Sequence, residues 1–301
     1  MTDAREEGKD CDPEKASPKE GVSCASASLE ARASHIFPTI VVDQAMHSAL
    51  LAITQGVPNV WPEDLNGERE EFSSICIAGE DLEPSNSTGN PKIILRLRNR
   101  AVWRGEGPHQ MEMSIRRKGI RIFPTLSVNV TGLRSDGMYM IFLDLMPKDQ
   151  NVYAYQSGRW VPRGTTKPYP PPNQASLLYV PDEKFRSGLF IAAFGVDFSS
   201  AKITNDTNVP ISRNQIFAHN LQIYLPRYHI VRHLTAEEVA LRRQSGRGCG
   251  NESPACLEYV GTYVIPETEF ITVSKYYNKH IANLKIDPSP YIASAKTAET
   301  L

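Results

Sequence analysis

The sequence predicts a mainly β fold, a sandwich or barrel of many short strands, with two short helices late in the chain and a polar arm ahead of it. Three observations carry that expectation. Apolar and polar residues alternate with period two from Lys92 onward, and Gly, Pro, Asn and Asp punctuate the alternation. No long helical pattern separates one strand from the next, as a parallel α/β sheet would require. About 200 residues of this kind make one domain with an ample core.

Taken in order, residues 1–34 are Ser, Ala, Glu, Lys and Pro with almost no branched apolar or aromatic side chain. They cannot bury enough surface to offset ordering entropy and are expected to be disordered. Residues 35–91 are expected to be an acidic linker or regulatory arm. Within it, the apolar run from Ile36 to Ile53 is open to three readings: a segment packed on the main domain, a co-regulator-binding helix (residues 36–53), or a short apolar run without a role. The main domain is expected over 92–298.

Leu126, Val128 and Val130 alternate with Ser127, Asn129 and Thr131 before Gly132, and Met138 to Leu145 is a continuous apolar run. Further strands are expected at Val152 to Tyr155, Leu189 to Phe198, Gln215 to Tyr224, Tyr228 to Val231 and Phe270 to Val273, each bounded by turn residues. Thr235-Ala236-Glu237-Glu238 is a capping box that opens a short helix ending by Gln244, inside a long insertion at 232–265. A second helix is expected from Ser274, as its N-cap, to Ile286, with Tyr277, Ile281 and Leu284 as its apolar stripe. Asp287-Pro288-Ser289-Pro290 stops it, leaving Tyr291 to Lys296 for one short further turn.

Charge and composition exclude several function classes. Residues 1–91 carry a net charge of -11 and residues 92–301 one of +10, within a total of -1. Such a split suggests a polyanion-binding domain with an acidic appendage. No window of eighteen apolar residues exists, so no membrane partner is expected, and the acidic N-terminus does not resemble a signal peptide. Five scattered cysteines favour a reducing compartment over a disulfide framework.

The motifs of hydrolases, zinc proteases and nucleotide-binding loops are missing, and no enzyme activity is expected. Gly246-Arg247-Gly248-Cys249-Gly250 follows a helix, where phosphate loops follow a strand, and is read as a flexible loop. His229, His233, Cys249 and Cys256 fit no standard zinc spacing, so no metal is expected and His229 is read as a strand or core histidine. Asp144, Asp149, Glu267 and Glu269 are read as turn and edge residues. The basic residues say more: Arg116, Arg117, Lys118 and Arg121 crowd a hairpin turn, and Lys275, Lys279 and Lys285 line the last helix. That is the outline of a nucleic-acid surface.

At these residues the sequence resembles the T-box DNA-binding domain. Glu112-Met113, Gly119-Ile-Arg-Ile-Phe-Pro124 and Val128-x-Val-x-Gly-Leu133 look like its opening, and the likeness continues through Tyr139, Asp144, Gly158-Arg-Trp-Val161, Pro181-Asp182 and Val196-x-Phe198. Lys202-Ile-Thr-Asn205, Tyr224-Leu-Pro-Arg-Tyr-His-Ile-Val231, Glu267-Thr-x-Phe-Ile271, Val273-x-x-Tyr-x-Asn278 and Leu284-Lys-Ile286 complete it in order. The resemblance implies an immunoglobulin-like β-sandwich or barrel, of the p53-like T-box type with short C-terminal helices. It implies a nuclear transcription factor that binds double-stranded DNA in both grooves on TCACACC-like sites, without a cofactor, and a candidate homodimer on palindromic sites.

Carried onto this chain, the resemblance and the basic clusters assign DNA contacts to Arg117, Arg121, Lys202, Arg227, Lys275, Tyr276, Asn278, Lys285, Tyr291 and Lys296. Tyr291 is the expected minor-groove ring. Two departures bear on specificity: Ile120 stands where the family has a guanine-reading arginine, and Ala295 where it has a second aromatic. Ile120 cannot form a bidentate guanine contact, and Arg121 points the other way if the segment is a strand, so altered or relaxed site preference is expected.

Overall fold

Two long strands, β6 (Met138–Pro147) and β12 (Ile223–His233), pair antiparallel through the middle of the molecule and fix its layers. The computed structural model describes residues 44–64, 74–78, 92–104, 111–165, 169–170, 176–181, 185–207, 214–244 and 256–286. The segment expected to be disordered, 1–34, lies outside them.

On its other side β12 carries β13 (Leu257–Val264), with the short strand β1 (Ile75–Ala78) beyond it. The start of β12 pairs with β14 (Phe270–Val273), and β3 (Met111–Ser114) runs parallel to β14. The two-residue strand β9 (Arg186–Ser187) meets the start of β6, and a single bridge joins Leu143 to Tyr179 further along that same side. β1 has a register shift between Cys76 and Ala78. Three smaller sheets complete the β framework: β2 (Ile94–Leu97) with β5 (Val128–Thr131), the hairpin β7 (Asn151–Gln156) with β8 (Arg159–Thr165), and β4 (Ile120–Arg121) with β10 (Lys202–Thr204) and β11 (Gln215–Phe217). The β-rich, multi-sheet architecture is consistent with an immunoglobulin-like fold.

Successive strand residues face opposite ways, so each long strand feeds two layers. Tyr139, Ile141, Leu143 and Leu145 of β6, with Tyr224, Tyr228 and Ile230 of β12, point into a core shared with Leu95, Leu97, Val128 and Val130. Met140, Phe142 and Met146 point to the other face. There Met46 and Leu50 of helix α1 (Gln44–Gly56) cover Met140, Phe142 and Val231, while Val57 and Trp61 cover Met146, Leu225 and Val264. The run Met138–Leu145 is continuous because both faces of β6 are buried. Within the Ile36 to Ile53 run, residues 44–53 are helical, and Met46 and Leu50 pack on the sheet as the packed reading expects. Residues 36–43 lie outside the described residues.

The face under α1 also holds buried charge. Register places Asp144 opposite Arg227 and Phe142 opposite His229, and His229 opposite Thr262 on β13. The Arg227 guanidinium donates two hydrogen bonds to the Asp144 carboxylate, the Nε one at 2.8 Å. His229 Nε2 lies 2.9 Å from the same carboxylate and Nδ1 2.6 Å from the Thr262 hydroxyl. Burial pushes the His229 ring below its ordinary value, so the neutral ring donates from Nε2 and accepts from Thr262. Burial alone would raise the Asp144 carboxyl, but the His229 and Arg227 contacts override it and hold it well below the usual carboxylate range. Arg227 also reaches the carbonyl of Val57 at 3.4 Å and the side chain of Asn59 at 3.2 Å, tying the segment after α1 to the sheet. Asp144 is therefore a buried ion-pair residue and not the turn or edge residue expected. His229, fully buried on β12, is the strand histidine the sequence suggested.

Local chemistry explains the remaining differences. Residues 189–198, expected as a strand, begin within a helix, α3 (Gly188–Phe194), which follows the short helix α2 (Arg100–Arg104) in chain order. The Ser187 hydroxyl caps the Phe190 amide, and Gly195 at φ +64° closes the helix, so capping decided between two structures that an apolar run allows equally. The expected strand Gln215 to Tyr224 is broken into β11 and the start of β12, with Leu221 at φ +59° between them. The capping box forms as expected on α4 (Ala236–Gln244): Thr235 Oγ1 accepts from the Glu238 amide at 3.2 Å, and Glu238 accepts from the Thr235 amide at 2.9 Å.

Two outcomes are expected. Asp144→Asn leaves the Arg227 guanidinium buried without its counter-charge, and urea unfolding should show a loss of about 3–5 kcal/mol; a loss below about 1 kcal/mol would mean the pair is dispensable. Deleting residues 1–64 uncovers Met140, Phe142 and Leu225. The melting temperature should then fall by about 10 °C or more, and an unchanged melt would place α1 outside the cooperative unit.

Candidate nucleic-acid interface

The cations of the 116–121 segment are set out by a turn and a two-residue strand. The Gly119 amide donates to the Arg116 carbonyl at 3.0 Å, and Gly119 adopts φ +72°, which leaves Arg117 and Lys118 at an exposed tip. The Thr204 hydroxyl donates to the Arg117 carbonyl at 2.9 Å and anchors that tip to β10. The turn is not the hairpin expected, because β3 before it and β4 after it belong to different sheets.

Antiparallel register sets Arg121 opposite Lys202, and Ile120 opposite Ile203. Directly opposed side chains share a face, so Arg121 and Lys202 stand together while Ile120 shares the side of fully buried Ile203. Two like charges opposite one another repel, and an anion seated between them would relieve that repulsion. Arg117 adds a third cation at the tip. Its contact with Asp206 at 3.3 Å is a surface pair on a largely exposed arginine and contributes little.

The second element is helix α5 (Lys279–Ile286). Its cap is Asn278, whose Oδ1 accepts from the His280 amide at 2.9 Å, and not Ser274, whose hydroxyl accepts from the Asn220 side chain at 2.8 Å. Ile281 and Leu284 are buried as the expected stripe required, but Tyr277 precedes the helix and is 39% exposed. Tyr277 instead joins Tyr155 and Trp160 of the β7–β8 hairpin, with ring centroids 5.5 and 5.0 Å away, and the Lys275 amine lies 5.5 Å from its ring. The approach to α5 is held by Glu112 on β3. Its fully buried carboxylate accepts from the Tyr277 amide at 2.8 Å and the Asn278 amide at 3.2 Å.

The residues assigned from the sequence are not all brought to one surface. Arg121 and Lys202 share one face, Arg117 is exposed at the turn before it, and Lys275 is exposed beside the start of α5. Tyr276, half-buried against the core, and Asn278, engaged as a cap, build the local scaffold. Arg227 is a correction: with 5% exposure and its guanidinium on Asp144, it belongs to the buried face under α1 and offers no phosphate contact. Tyr291, Lys296 and the Ala295 departure lie outside the described residues. Glu112 and Tyr277 were not singled out as site residues in the sequence. A carboxylate between two methionines was the available signal for Glu112, since a buried acid must find donors.

Lys285, in the last turn of α5, turns inward. Its amine lies 5.4 Å from the Phe123 ring centroid and 3.6 Å from Met113 Sδ, linking the end of α5 to the segment that follows β4. Burial lowers the amine to about 7 against the pull of Glu112. Below that pH the folded and unfolded chains both hold the proton; between about 7 and the ordinary lysine value near 10.4, only the unfolded chain does. Stability from this residue therefore rises with pH across that window. Urea unfolding of the wild type relative to Lys285→Met should show the wild type gaining as pH rises from about 7 to about 10, and parallel profiles would rule this out.

Comparison with known proteins agrees with this geometry. The family profile described as T-box matches residues 95–297. T-box transcription factor T of Halocynthia roretzi is 31% identical over 205 residues, covering 68% of this chain and 39% of its own. The T-box transcription factor T homolog of Patiria pectinifera is 33% identical over 214 residues (70% and 42%), and human T-box brain protein 1 is 32% identical over 201 residues (66% and 27%). The chain thus spans less than half the length of these curated relatives. The T-box domain is a non-catalytic module, and among the described residues no group of His, Cys, Asp and Glu could hold a metal ion. With the profile spanning more than half of the chain, the chain belongs to the T-box family.

Proposed function

We propose that this chain is a nuclear transcription regulator that binds double-stranded DNA through its T-box domain. The observation that carries the reading is the face-to-face placement of Arg121 and Lys202 beside the Arg116–Lys118 turn, an arrangement that an external polyanion relieves. Lys275 extends the surface toward α5. Tyr291 and Lys296 follow that helix in sequence and supply a minor-groove ring and a backbone cation. Phosphate binding is retained while base readout is altered, because Ile120 replaces a guanine-reading arginine and shares its face with Ile203. Pairing of two copies on a palindromic site belongs to the same reading. Ile120 also favours a second reading, a T-box scaffold whose base readout has decayed and which acts through proteins.

Fluorescence anisotropy of the whole chain on a TCACACC-type duplex and a scrambled duplex, each at about 50 and about 200 mM salt, separates the two. Preference for the first with a steep salt dependence is expected, and Arg121→Ala should lower the salt slope by about one. Equal affinity for both duplexes supports the decayed readout, and no binding to either overturns DNA binding.

A further inference from the structure

We infer that Glu112 is the positioning residue that seats α5 against the β4–β10 cation surface, so that both elements meet one DNA duplex in fixed relation; this rests on the DNA-binding reading above. Glu112 lies on β3 in parallel register with Ile271, flanked by the buried residues Met111 and Met113. A carboxylate there is costly unless its oxygens are bonded. Its partners are not in the core: they are the Tyr277 and Asn278 amides, in the link from β14 to α5, and the Trp160 side chain from the β7–β8 hairpin.

The consequence runs along the helix. Glu112 fixes the Asn278 backbone, the Asn278 side chain caps the first turn through His280, and the Asn278 carbonyl accepts the Ala282 amide at 2.9 Å. At the far end the Lys285 amine rests near Phe123, two residues beyond Arg121. α5 is thus held at its start by Glu112 of β3 and at its end by Met113 of the same strand together with the segment leaving β4. The described hydrogen bonds of Glu112 hold the approach to the helix and the hairpin, so its loss should free the helix without opening the β6–β12 sheet.

The test compares wild type, Glu112→Gln and Asn278→Ala as full chains. Glu112→Gln keeps the shape but removes the charge and turns an amide N–H toward donors; Asn278→Ala removes the cap without touching β3. Hydrogen exchange of amides 277–286 should rise about tenfold or more in Glu112→Gln, with β6 and β12 amides unchanged, and affinity for the TCACACC-type duplex should fall about tenfold. Asn278→Ala should give the same pattern more weakly, and it decides the matter if Glu112→Gln does not fold. Unchanged exchange at 277–286, or exchange raised with affinity unchanged, overturns the positioning role. A wild type that binds no duplex, with exchange raised in the variants as expected, instead sinks the DNA-binding reading beneath it.

Discussion

The buried pair of Asp144 and Arg227 is the constraint on which the fold turns. Each partner sits on one of the two longest strands, directly opposite the other, and neither has an alternative counter-charge within reach in the described contacts. A one-residue slip between β6 and β12 would leave the two on opposite faces of the sheet, one of them among Leu143, Tyr228 and Ile230 and each without its counter-charge. The pair thus specifies register more than it adds stability. His229 and Thr262 extend the same logic to β13, so three strands share one polar alignment.

That alignment also explains why the folded unit reaches ahead of the T-box match. A sheet with Asp144, Arg227 and His229 on one face cannot leave that face to apolar packing alone, because the Arg227 protons not used by Asp144 need acceptors. The chain after α1 supplies them with the Val57 carbonyl and the Asn59 side chain, while Met46, Leu50 and Trp61 cover the apolar remainder. Glu112 repeats the device at the sheet's far strand: a buried acid draws polar backbone to itself and so decides where the next element lies. In both places a buried charged group organises its neighbour through the hydrogen bonds it still needs.

Much of the β framework was legible because alternation is a direct record of burial. Val128 and Val130 are buried and Asn129 and Thr131 exposed, as the sequence pattern required. The capping box was legible because its two hydrogen bonds depend on residues three apart in the chain. What escaped were features decided by distant partners. Nothing in the apolar residues 189–194 distinguishes strand from helix; Ser187 before them and Gly195 after them decide it. Arg227 stands in a stretch whose family likeness assigns it a DNA contact, yet the partner that buries it stands 83 residues earlier. Ser274 and Asn278 are both good caps, and the choice between them rests on Glu112, more than 160 residues away. The Arg121–Lys202 pairing was likewise invisible until register set them opposite.

The main sheet is finished at its margins by short pieces of chain. β1 is four residues long and breaks register between Cys76 and Ala78, and β9 covers the start of β6 for only two residues before Tyr179 takes both backbone bonds of Leu143. A long, flat, apolar strand with open backbone groups is a template for another molecule's strand, and β6 would be one if left bare. Among the described residues the outer side of β6 is interrupted at Met138, Tyr139 and Leu143 and both its faces are covered, so this strand presents no long bare edge to a second copy of the domain.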